Sequence, residues 1–158
     1  MRSPATNRVA QTGAAIFVLW GVLHLVVGLR GAFAFASSGP AGVFSGFGAA
    51  PVAAELTPPL VLAGHIALDF SLVLAGYGVL AIWAAVLIWR GQRLGFWLNT
   101  VMLGIADGSF IIALMLPGFI SPAAGGLGPV LYVLGVAFTA IGFYARRAST
   151  AVRLPSTA

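Results

Sequence analysis

Five ionisable side chains interrupt stretches that are otherwise free of charge: His24, Arg30, His65, Asp69 and Asp107. Such groups in apolar surroundings can relay protons, ligate a metal or hold a small polar ligand. His65 and Asp69 are four residues apart and share one helical face, as a carboxylate that orients an imidazole would. Gly21, His24, Gly28 and Gly31 recur at helical spacing, and so do Thr100, Gly104, Asp107 and Ile111. Small residues mark close helix approach, so this spacing predicts that the polar groups face inward. Each also has a purely structural reading. Arg30 could pair with Asp69 or Asp107, or snorkel to the interface. Asp107 could be a structural partner or a proton- or ligand-handling group. His24 could be a hydrogen-bonded packing residue or a ligand, and His65 with Asp69 an interfacial polar pair. Glu55 reads as solvated.

The elements that carry these groups are long apolar runs near 13–35, 59–89, 94–116 and 129–147, in a chain of 158 residues that is 60% hydrophobic and 7% charged. A helix needs about 20 apolar residues to cross ~30 Å of hydrocarbon, and barrel strands are far shorter. The expected fold is all-α: one membrane domain over 1–158, an antiparallel up-down bundle of four transmembrane helices. Thr57-Pro58-Pro59 and Gly128-Pro129 suit helix starts, and Pro117-Gly118 suits a stop. The turn Arg90-Gly91-Gln92-Arg93 makes helices two and three antiparallel neighbours. Helix two, at about 46 Å, exceeds the hydrocarbon and must project, tilt or kink near Gly76 and Gly78. On helix four, Gly135, Thr139 and Gly142 read as a packing stripe. Loops 36–58 and 117–128 join the spans. Loop 36–58, with Phe44 and Phe47, is too apolar for ordinary solvation. It could lie in the interface, re-enter the membrane or cover the outer mouth.

Orientation follows from arginine. Seven of eight fall before the first run, between the second and third, or after the fourth: Arg2, Arg8, Arg90, Arg93, Arg146, Arg147 and Arg153. The positive-inside rule then predicts both termini in the cytoplasm of a bacterial cell, the protein sitting in its inner (plasma) membrane. Trp89, Phe96, Trp97 and Tyr144 belong to an inner aromatic belt. Arg2 and Arg8 ahead of an apolar run, with Ala34-Phe35-Ala36 after it, imitate a signal peptide, but that run exceeds a usual h-region, so an uncleaved first helix is expected. All five ionisable groups then fall in the middle or outer half. The net charge of +5 flanks spans rather than patching a folded domain, so no nucleic-acid partner is expected.

Several chemistries are excluded or weakened. There is no cysteine, hence no disulfide, thiolate metal site or covalent haem. No Gly-x-Ser-x-Gly, His-Glu-x-x-His or phosphate loop is present. A b-type haem between His24 and His65 is opposed by their heights, ~15 Å and ~36 Å from the inner helix ends. A small metal site of His65, Asp69 and Asp107 stays open. The cofactor is otherwise unspecified.

The segment Trp89-Arg90-Gly91-Gln92-Arg93-Leu94-Gly95-Phe96-Trp97-Leu98-Asn99, with Ala106-Asp107-Gly108, Pro117-Gly118 and Trp20-Gly21-x-x-His24, resembles small bacterial four-helix membrane proteins of unassigned function. The resemblance implies the four-span architecture and no activity. The leading expectation is non-enzymatic: binding or passage of a small ligand or proton at the polar cluster. The alternative is an accessory or scaffold subunit. The expected surroundings are the lipid bilayer, with a homodimer or larger membrane complex open.

Overall fold

The computed structural model describes residues 4–47 and 57–144. Glu55, Arg2, Arg146, Arg147 and Arg153 lie outside them. All elements among the described residues are helical: α1 (Pro4–Gly46), α2 (Pro58–Trp89), α3 (Arg93–Leu98), α4 (Gly104–Phe110), α5 (Pro122–Gly125) and α6 (Leu127–Tyr144). Among the described residues, four stretches are long and apolar enough to cross a membrane: Arg8–Ser45, Pro58–Trp89, Arg93–Met115 and Leu127–Tyr144. Large apolar side chains such as Leu19, Phe33, Ile66, Ile105 and Ile141 are exposed along all of them. A water-facing surface of that kind would aggregate, whereas lipid accepts it. These are the features of a multi-pass membrane protein.

The chain forms two compact units, Gly21–Leu80 and Met1–Trp20 with Ala81–Ala158. In the first of these, α1 and α2 run antiparallel along a seam of small residues. A Cβ on Gly28 would fall on the Ser71 carbonyl and the Ala75 amide, and one on Gly78 would fall on the Gly21 carbonyl and Leu25. Such contacts let two backbones approach closely.

The connecting end of this hairpin departs from a plain loop. Helix continues past residue 35, turns at Gly39, and resumes from Pro40 to Gly46. Gly39 has φ 70 and ψ −164, a region open essentially to glycine alone. Proline follows because its fixed φ starts a new helix and its missing N–H breaks the old one. The second arm doubles back. Gly42 lies against Ser38 and the Ala34 carbonyl, Phe47 reaches the position of Gly31, and the Phe47 and Phe70 rings are 5.7 Å apart. In a straight helix Gly31 and Phe47 would be about 24 Å apart. Val43, in the returning arm, is fully buried. Val43 and Phe47 are thus spent on packing.

In the other unit, segments from all four spans meet. Ala10, Gly13, Ala14, Phe17 and Trp20 form the buried face of α1. Gly13 lies against Thr139, Gly142 against Ala10, and Gly135 against the Phe17 ring. The stripe on α6 is therefore a packing surface. The end of α2 supplies Ala81, Ala84 and Ile88, all buried. At the turn, Gln92 N–H donates to the Leu87 carbonyl at 2.9 Å and Gly91 N–H to Ile88 at 2.8 Å, with Gly91 at φ 78. That is a Schellman stop, which needs a residue at positive φ. Phe96 is buried among Trp97, Phe143 and Tyr144, and Arg93 stacks over the Tyr144 ring at 5.3 Å.

A candidate polar site on the third span

The third span is not one regular helix. α3 leads into a π-helical turn at Asn99–Leu103, then α4, then a second π turn at Ile111–Met115. Such turns widen a helix by one residue and recur at functional sites. Asp107 sits between them. It is only 4% exposed, and its Oδ2 accepts a hydrogen bond from Trp20 Nε1 at 3.0 Å. Trp20, on the buried face of α1, is itself fully enclosed. An indole N–H can only donate, so a carboxylate suits it.

One turn along the same face, Gly104 leaves room for a tyrosine. A Cβ there would stand 2.5 Å from the Tyr132 hydroxyl. That hydroxyl donates to the Thr100 carbonyl in the first π turn at 2.8 Å. Asn99, fully buried, reaches the Ala81 carbonyl through Nδ2 at a long 3.4 Å. Its Oδ1 and the hydroxyl oxygens of Thr100 and Thr139 are buried without a protein partner. Buried polar atoms are nearly always satisfied, by protein or by bound water. Thr100, Gly104 and Asp107 on one face, with Trp20 and Tyr132 against it, thus make a polar column inside an apolar unit. Its chemistry is acceptance: the Asp107 carboxylate and the Thr100 hydroxyl oxygen offer lone pairs to water, a proton or a small donor.

The other four candidates belong to the Gly21–Leu80 unit. His24 is half-buried on α1 between Gly21 and Gly28. Arg30, His65 and Asp69 are exposed rather than turned inward. The cause lies on α2, whose inner face is built by Gly64, Ser71, Ala75 and Gly78. Residues 65 and 69 fall about 100° and 200° off that stripe. His65 Nδ1 donates to the Val61 carbonyl at 2.8 Å, and its ring meets Phe35 edge-on at 5.1 Å. The Arg30–Asp69 bridge, one of the alternatives open to Arg30, is not formed among the described residues. No three histidine, aspartate or glutamate side chains among the described residues converge to hold a metal ion.

Sequence reasoning placed Thr100, Gly104 and Asp107 on one face but missed Trp20, Asn99 and Tyr132 as their neighbours. The available signal was that each carries a polar group that needs a partner in lipid. No protein family, curated protein or solved structure matches this chain.

Proposed function

We propose that this chain is a bacterial inner-membrane protein, with both termini in the cytoplasm, that binds or passes a small polar ligand or a proton at the Asp107 column. It is grouped here with the small bacterial four-helix membrane proteins whose motifs it resembles. One observation carries the reading: on the span that holds a buried carboxylate bonded to an indole, the buried oxygens of Asn99 and Thr100, about two turns away, lack protein partners. A column made only to lock helix register would satisfy its own members. Nothing in this role requires covalent chemistry.

The accessory-subunit reading has its own support. Trp20 and Asp107 satisfy each other directly, as a structural pair does. The discriminating experiment uses protein purified in mild detergent, analysed by absorption spectrum, elemental analysis and mass spectrometry of extracts. Parallel proteoliposomes loaded with a pH dye report proton flux. A stoichiometric small molecule, or a proton leak, that vanishes in Asp107→Asn supports binding or passage. An empty, tight and well-folded wild type would leave the accessory role.

A further inference from the structure

The Gly21–Leu80 unit leaves two opposite charges without a mate. Arg30 and Asp69 are both exposed, and among the described residues neither has an ion pair or side-chain hydrogen bond. Their directions explain why. Arg30 lies about 200° around α1 from Gly28, and Asp69 about 200° around α2 from Ser71. Gly28 and Ser71 face one another across the seam. The arginine and the aspartate therefore point away from it on opposite sides of the hairpin.

Their heights nevertheless agree. Gly31 and Gly28 both lie against Ser71, so Arg30 and Asp69 differ in level by less than about 5 Å at 1.5 Å per residue. An arginine side chain spans that. Unpaired charges near hydrocarbon are costly and usually find a partner. A surface with a cation on one side and a carboxylate at the same level on the other is complementary to a second copy of itself. Gly76, two turns from Asp69 on the same face, has no neighbour within 4 Å of a Cβ. It gives an approaching helix a flat place to rest.

We propose that copies of this chain associate head-to-tail in the membrane, Arg30 of one copy pairing with Asp69 of the next. Such a contact is heterologous, so it builds a ring where the rotation closes and a row where it does not. It goes beyond ligand or proton handling and does not depend on Asp107.

Native mass spectrometry of the full chain from mild detergent tests this first. Wild type is expected as an oligomer, Arg30→Asp as a monomer, and Arg30→Asp with Asp69→Arg as an oligomer again. A monomeric wild type, or an oligomer untouched by Arg30→Asp, overturns the proposal. Cross-linking in native membranes guards against variants that fail to fold. The chain has no cysteine, so Phe33→Cys and Leu72→Cys, beside the two charges, leave the pair intact. A short bis-maleimide should join a Phe33→Cys copy to a Leu72→Cys copy, and give a ladder when one chain carries both. No such link, links only between two Phe33→Cys copies, or retention of lipid phosphate by a lone monomer would each sink the idea.

Discussion

An indole N–H that only donates meets a carboxylate that mainly accepts, and the Trp20–Asp107 pair is the polar anchor of its unit. Hydrogen bonds between transmembrane helices average about 0.6 kcal/mol and reach about 1.7, because the unfolded chain in lipid also finds partners. Trp20→Phe should therefore cost about 1 kcal/mol, read from SDS or thermal unfolding in detergent. Asp107→Asn keeps an acceptor for the indole. It should leave stability within about 0.5 kcal/mol of wild type while removing ligand or proton handling. A large stability loss in Asp107→Asn, with no change in bound material, would assign the pair to structure alone. The residue types of this site were legible: Asp107 stands out as a lone acid in an apolar run. Its partners were not, because Trp20 lies 87 positions away and only packing brings the two together.

At the scale of elements, glycine positions sort by what faces them. A side chain on Gly142 would strike the Ala10 backbone, where overpacking costs about 1–3 kcal/mol. Gly76 has open space. Gly142→Val should lower the unfolding midpoint in detergent, whereas Gly76→Val should leave the monomer's midpoint unchanged. The bend at Gly39 makes a separate prediction. Its φ of 70 and ψ of −164 cost other residues about 1–3 kcal/mol. Gly39→Ala should speed hydrogen exchange across Pro40–Gly46 and spare the third span. Helix ends were readable from sequence where Gly91 and Pro58 set them. The returning arm was not. Its composition allowed an interfacial, re-entrant or covering segment, and the contacts with Gly31 and Phe70 show that it folds back onto its own hairpin.

For the molecule as a whole, arginine placement supplies the testable orientation. A fluorescent protein fused after residue 158 should be bright, and a periplasm-dependent phosphatase fused there should be inactive. The opposite result would invert the proposed topology and move Arg30, His65 and Asp69 to the cytoplasmic side. Exposed Leu, Ile, Val and Phe along every span should also make the protein precipitate when detergent is diluted below its critical concentration, as light scattering would record.

Four long apolar helices, and the ends of the last three to within a few residues, follow from composition alone, whereas the first runs on past residue 35 to a bend at Gly39. Backbone groups in lipid must be satisfied within each segment, and that demand is local. The sequence also marked which residues were out of place in hydrocarbon. Where those residues look depends on how the helices pack. A shift of one position turns a side chain by about 100°, and the inward direction is set by the neighbouring helix. Ser71, Ala75 and Gly78 claimed the seam of α2, so His65 and Asp69 were left outside. Trp20 and Gly104 opened the other unit to Asp107 and Tyr132, so its polar column stayed within.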